Sequence, residues 1–345
     1  MNLKLKNGEF DVMGLGEVML RLSPPGKERL SQSETLEKRA GGAELNVVSG
    51  ISQLGLRTGI MSKLPTSEIG NFVKNKIRYS GTSDDAILYD ASPSARLGLY
   101  YYESGAYPRV PIVSYDRARS SFCSFRYEEV PEEILDRIRM LHVSGITLAL
   151  DAALRENVIE LLHVLKSRGT ALSFDVNYRA SLWGEEEARR VITSILPLVD
   201  VLFVSEETLR RMFGQAGTLE EIHARFSGMY PNLHVIASTQ RTVLSATRHT
   251  FTSTVYDCDE RRSFTDRPYE NIEVVDRIGS GDAFVAGALF GLLTRGTIED
   301  AARYGDAMSA VKNTIPGDMT VCSYADIRRV IDSHEAIGAV SEMVR

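Results

Sequence analysis

Short apolar runs alternate with helical patterns along most of this chain, and that alternation restricts the possible folds more than any other feature. The segment 11–22 reads as an opening strand with an irregular end. Ala43, Val47, Val48, Ile51 and Leu54 then fall on one helical face, and Gly55 stops that helix. A strand at 59–64 leads into a helix at 67–79, with Ile69, Phe72, Val73 and Ile77 inward and Gly81 at its end. The pattern then changes. Segments 86–90, 96–103 and 110–115 read as three strands without an intervening helix, rich in Tyr and interrupted by Pro93, Pro108 and Pro111. Alternation resumes with strands at 140–144, 171–176 and 201–205 and helices at 151–167 and 185–196. Strands at 234–238, 243–247 and 251–256 follow, and two or three helices close the chain from about Asp282. Repeated βα units imply an α/β fold: a mostly parallel central sheet with right-handed crossovers and helices on both faces. The strand-only stretch adds a small antiparallel β lid. We expect a single domain over 1–345, with lid strands within about 20–40 and 86–117.

Charge and composition remove several function classes. The chain has 345 residues and a formal charge of −6, which argues against a nucleic-acid or anionic-membrane partner. Its longest apolar run, 283–293, is too short to span a bilayer, and its N-terminal residues lack the apolar core of a signal peptide. Cys123, Cys258 and Cys322 are odd in number and have no metal-type spacing, so reduced thiols in the cytoplasm are the simplest expectation.

The segment 274–287, Val-Val-Asp-Arg-Ile-Gly-Ser-Gly-Asp-Ala-Phe-Val-Ala-Gly, carries the chemistry. A strand ends in a Gly-Ser-Gly turn and a helix starts at once. Gly279 and Gly281 let a ligand approach the backbone, and free N–H groups of the first helical turn favour an anion. Asp282 sits at that turn, where a carboxylate can take a proton from a hydroxyl attacking phosphorus. Taken alone, Asp282 also fits a helix cap. The chain contains no Walker loop.

Asp276 to Asp282 resembles the D-x-x-G-x-G-D signature of ribokinase-like (PfkB-type) sugar kinases. The stretch Gly41-Gly42-Ala43-Glu44-Leu45-Asn46-Val47-Val48, followed by Gln53-Leu54-Gly55, is similar to that family's N-terminal signature. The two signatures lie in order with βα units between them, so the resemblance covers nearly the whole chain. It implies a ribokinase-like fold and an ATP-dependent transfer of the γ-phosphoryl group to a primary sugar hydroxyl. Asp282 is then the base, and backbone N–H groups of Gly279, Ser280 and Gly281 form the anion hole. Gly41, Gly42 and Asn46 match positions that meet the sugar, and an amide both donates to and accepts from a polyol. ATP falls to Ser205, Thr239, Arg241, Gly279, Gly281 and Asn313. Magnesium is held mostly by nucleotide and water, with Glu206 or Glu207 as candidate protein partners.

Three further stretches are similar to 2-keto-3-deoxygluconate kinases within the family: Gly14 to Met19, Ser173 to Arg179 with Leu182-Trp183, and Thr314 to Asp318 after Lys312. Tyr115-Asp116-Arg117 resembles a Y-D-R element of some members. A keto-deoxy sugar acid carries a carboxylate, which guanidinium forks read, and that points to Arg179 and Arg117. Tyr100 and Tyr102 share one face of a lid strand, and Tyr102 is assigned to substrate. The chain departs from the family at Ser205-Glu206-Glu207-Thr208, where N-x-x-E is usual. It departs again at Ser238-Thr239-Gln240-Arg241, and at Tyr101-Tyr102-Glu103, where Tyr-Tyr-Arg is usual. A fructokinase or other PfkB-type sugar kinase is the neighbouring alternative. A non-catalytic sugar- or nucleotide-sensing protein is the alternative of another class. Exposed lid strands imply a homodimer through that layer.

Overall fold

The apolar runs sort into two sheets. In the computed structural model, which describes residues 3–245 and 247–336, the first sheet has ten strands. Its parallel part comprises β1 (Val12–Leu15), β4 (Thr58–Pro65), β5 (Ile87–Asp90), β8 (Met140–Ser144), β9 (Ala171–Asp175), β10 (Val201–Phe203) and β11 (Val235–Ser245). These lie in the order β11–β10–β9–β8–β1–β4–β5. Strands β12 (Arg248–Asp257), β13 (Arg262–Thr265) and β14 (Tyr269–Glu273) extend the β11 edge in antiparallel fashion. The second sheet has four strands, β2 (Met19–Ser23), β3 (Glu37–Gly41), β6 (Gly98–Glu103) and β7 (Ile112–Asp116), in the order β3–β2–β6–β7. Two of its pairings are antiparallel and β2 runs parallel to β6.

Several strands differ from the sequence reading. Segment 11–22 is two strands in different sheets, because the chain turns out of the large sheet at residues 16–18. Gly16 there lies so close to the Glu44 carboxylate that a Cβ would strike it. Segment 86–90 pairs with β4 at the edge of the large sheet, so 86–117 supplies two strands of the small sheet, β6 and β7, beside β2 and β3. Segments 234–238 and 243–247 are one strand, because β11 continues past the core as an exposed hairpin arm with β12. Ile69, assigned inward, is exposed at the start of its helix, whereas Val73 and Ile77 are buried.

The helix Ser280–Thr294 is buried on nearly every side, as its mixture of small and apolar residues requires. It packs between the helices Ala43–Gln53 and Ile298–Asn313. Gly287 permits this, because a Cβ there would lie 2.2 Å from the Tyr304 carbonyl oxygen. Held by that packing, the helix directs its N-terminus at the cleft between the two sheets.

Arg21 of β2 ties the small sheet across that cleft. Its guanidinium pairs with Asp276 at 2.7 Å and with Asp318 at 2.8 Å, donates to Ser23 Oγ at 2.8 Å and lies 4.3 Å from the centroid of the Tyr102 ring. All three charged side chains are buried. Burial opposes the arginine's charge, and the two carboxylates overcome it, so its pKa is raised. Removing one partner of a buried cluster leaves the others uncompensated. We therefore expect Arg21→Met to lose about 3–5 kcal/mol in urea unfolding. Arg39→Met breaks an exposed pair with Glu37 on β3 and should lose about 1 kcal/mol or less. Equal losses in the two variants would contradict this assignment.

Candidate active site

The motif turn is fixed by backbone geometry. Asp276 uses one carboxylate oxygen to accept the Ile278 N–H and the other to accept the Gly317 N–H, each at 3.0 Å. Gly279 caps the helix with φ +82°, and a Cβ there would lie 2.0 Å from the Asp318 carbonyl oxygen. Only glycine meets both conditions. The Ser280 N–H is engaged by the Arg277 carbonyl at 3.3 Å. Among the described residues, the N–H groups of Gly281 and Asp282 have no protein acceptor, and both stand at the positive end of the helix dipole.

Two cavities meet at this turn. The first, about 450 Å³, is lined by Gly42, Asn46, Arg117, Arg179 and residues 279–282, and also by Glu17, Glu44, Tyr100, Asp175, Arg277 and Asp318. The second, about 660 Å³, is lined by Ser205, Glu206, Glu207, Thr239, Gln240, Arg241 and Phe251. Arg241, Ser280 and Gly281 border both.

The floor of the first cavity is acidic. Asn46 Nδ2 donates to Asp282 Oδ2 at 2.7 Å. Burial pushes the Asp282 carboxyl up to about 7; the Asn46 bond pulls it down and Asp175 pushes it further up. Its carboxylate faces the open cavity while dense protein surrounds the rest of it, so desolvation dominates. Burial also pushes Asp175, at the end of β9, up to about 7, against Arg179 and the Asn177 N–H. Glu44 accepts from the Ser144 N–H, Ser144 Oγ and Thr147 Oγ1 at 2.9, 2.7 and 2.8 Å, which holds the helix carrying Asn46 against β8. The rim is basic. Arg179 is exposed and, among the described residues, bonded only to the Tyr178 carbonyl, at 3.1 Å. Arg117 is already engaged, donating from Nε to Glu17 at 2.8 Å. Burial, then the neighbouring Arg277, lower the Arg241 pKa.

Three residues singled out in the sequence lie elsewhere. Tyr102 does not line the cavity but packs against Arg21, and Tyr100 on the same strand face lines it instead. Gly41 makes room for the Asp318 carboxylate and the Tyr100 hydroxyl, which bond to each other. Asn313 is buried; its amide donates to the Ser309 carbonyl, and its own carbonyl accepts from Val275 and Asp276. Glu206 borders the second cavity but is tied to Arg210 at 2.6 Å, and Glu207 pairs with Arg211 at 3.0 Å. No group of three or more His, Cys, Asp or Glu side chains able to hold a metal occurs among the described residues. Asp175, Glu44 and Arg277 were not singled out, although each lies inside a motif stretch. A carboxylate ending a central parallel strand was the available signal for Asp175.

The chain is similar in sequence and fold to several sugar kinases. The chain is 35% identical over 326 residues to a 2-dehydro-3-deoxygalactonokinase of Haloferax volcanii, covering 94% of this chain and 98% of that one. It is 27% identical over 316 residues to a 2-dehydro-3-deoxygluconokinase of Bacillus subtilis, covering 90% and 92%. The crystal structure of a 2-dehydro-3-deoxygluconokinase from Thermotoga maritima superposes with a TM-score of 0.89 at 33% identity, covering 94% of this chain and 99% of that one. The family model for pfkB family carbohydrate kinases matches residues 10–323, which takes in both sheets and the whole of the Gly279 turn, and the chain belongs to that family.

Proposed function

We propose that this carbohydrate kinase transfers the γ-phosphoryl group of ATP to the primary hydroxyl of 2-keto-3-deoxygluconate or a close keto-deoxy sugar acid. The observation that carries this reading is the meeting of two cavities at Ser280 and Gly281, beside a carboxyl pushed up to about 7. One cavity has the acidic floor and basic rim suited to a polyhydroxy acid. The other is an open groove suited to a nucleotide. The two similar kinases named for keto-deoxy sugar acids support the substrate class.

In this reading the sugar hydroxyl attacks the γ-phosphorus as its proton passes to Asp282. The new O–P bond forms in line as the bond to the β-phosphate oxygen breaks, and ADP leaves. Asn46 orients Asp282 through the 2.7 Å bond and meets sugar hydroxyls, and Gly42 brings backbone against the sugar. N–H groups of the 279–282 turn receive charge on the transferring oxygens. Arg179, exposed at the rim, reads the substrate carboxylate, and Arg117 supports it from the small sheet while paired with Glu17. Ser205, Thr239 and Arg241 take the nucleotide. Magnesium would neutralise charge on the phosphates and would be held chiefly by nucleotide and water, with Glu206 or Glu207, which both line the second cavity, as candidate protein partners.

The same proposal includes one kinase domain with a lid that closes over the sugar, and a homodimer in the cytoplasm. Tyr107, Val110, Ile112 and Tyr115 are exposed in or beside the edge strand β7, which favours pairing through that layer. No described helix is long and apolar enough to cross a membrane.

ADP release should be selective for 2-keto-3-deoxygluconate or its galactonate epimer over fructose and ribose. In Arg179→Ala, KM for the acid should rise about 10–100-fold, the worth of one charge-assisted bond. Turnover of a neutral sugar alone would refute the substrate. Asp282→Asn should cut kcat by about 10²–10⁴ while sugar and nucleotide affinities, measured by calorimetry, change little. Near-normal turnover in that variant would remove Asp282 from the role of base.

A further inference from the structure

Lys312 is a fully buried ammonium with no carboxylate in ion-pair contact among the described residues. Its Nζ donates to two main-chain carbonyls, Asp276 at 3.0 Å and Ile315 at 3.1 Å. Those carbonyls belong to the two segments that meet at Gly279. Asp276 lies three residues before that glycine, and Ile315 three residues before Asp318, whose carbonyl packs against the Gly279 Cα. Lys312 stands in the last turn of the helix Ile298–Asn313, where the dipole favours a cation. The neighbouring Asn313 carbonyl accepts from Val275 and Asp276 at 2.8 and 3.1 Å, so the same helix end grips the motif segment twice.

Taking an ammonium out of water costs several kcal/mol unless something compensates it. Here burial pulls Lys312 down to about 8, and Asp276 and Asp318 oppose that pull from nearby. The first coordination is by carbonyl oxygens, which is how a protein replaces the hydration shell of a potassium ion. A cation behind these carbonyls polarises the peptide groups of the turn and fixes their direction. The N–H groups of Gly281 and Asp282, without a protein acceptor among the described residues, belong to residues that line the first cavity.

We propose that Lys312 is a built-in cation of the phosphate-binding turn. Its ammonium fills the position between the Asp276 and Ile315 carbonyls that a small monovalent cation would otherwise need to fill. It thereby holds the 276–282 turn in its anion-receiving shape and makes turnover independent of added potassium. Lys312 is a positioning residue, since it acts on the transferring phosphoryl group through the turn. The inference rests on the phosphoryl-transfer reading above.

The test is ADP release at constant ionic strength in potassium, sodium, ammonium or choline chloride. Wild-type kcat should agree within about twofold across the four salts, since its cation is covalently supplied. Lys312→Ala should lose about tenfold or more of kcat in choline, with sugar KM little changed, and potassium or ammonium should restore most of it. Lys312→Met, which refills the space without charge, should be as slow and should not be restored. Potassium activation of the wild type would overturn the proposal, as would full kcat in Lys312→Met. Loss in a folded Lys312→Ala that no cation repairs would also overturn it, by showing a role in packing alone. If Lys312→Ala does not fold, the wild-type salt series and Lys312→Met decide. Absence of ADP release from the wild type in every salt would instead refute the phosphoryl-transfer reading itself.

Discussion

The buried ion network around Arg21 joins the two walls of the active site. Arg21 stands on β2, in the small sheet, and its guanidinium reaches Asp276 before the Gly279 turn and Asp318 behind it. Asp276 in turn accepts the Ile278 and Gly317 N–H groups, so its carboxylate closes both turns at once. The first aspartate of the motif is therefore structural, and in the proposed mechanism the last is chemical. Because Arg21 belongs to the small sheet, that sheet and the Gly279 turn are held in one frame. Surface ion pairs elsewhere, such as Arg328 with Asp332, cannot do this, since solvent screens them and either partner is free to move.

Within that frame, the order of charges decides what the cavity can bind. Acidic groups lie deep, with Glu44 saturated by three donors and Asp175 beside Asp282. Guanidiniums lie at the rim and where the two cavities meet. A neutral sugar would add no negative charge opposite Arg179, Arg241 and Arg277, whereas a sugar acid would. The same arrangement suits Asp282 to the proposed role of base. Burial raises its pKa, and the Asn46 amide limits the rise by bonding to the ionised form.

Much of this was legible in the residues. The Gly-Ser-Gly-Asp turn could be read because it follows, in order, the Gly41 to Val48 stretch, and the two together resemble the family's signatures; the structure gives Gly279 a positive φ. The small sheet was visible in its tyrosines and prolines, although β5 was misassigned to it: an edge strand of a parallel sheet and a lid strand carry the same short pattern. Alternation correctly put Tyr100 and Tyr102 on one face but could not say where along the strand the cavity ends, and Arg21 covers Tyr102. Partnerships distant in sequence were not legible at all. Nothing near Arg21 announces Asp276, and a lysine in a helix's last turn reads as solvent-exposed until the Asp276 and Ile315 carbonyls are seen against it.

The central claim, that Asp282 is a base poised by burial beside Asp175, is tested most directly by the pH dependence of kcat/KM. A carboxyl raised to about 7 must lose its proton before it can accept one, so activity should climb with pH and level off near 7. Asp175→Asn removes a negative charge that pushes Asp282 up, and the bend should then move to lower pH. A profile already level at pH 5 would contradict the claim, as would a bend that Asp175→Asn leaves in place.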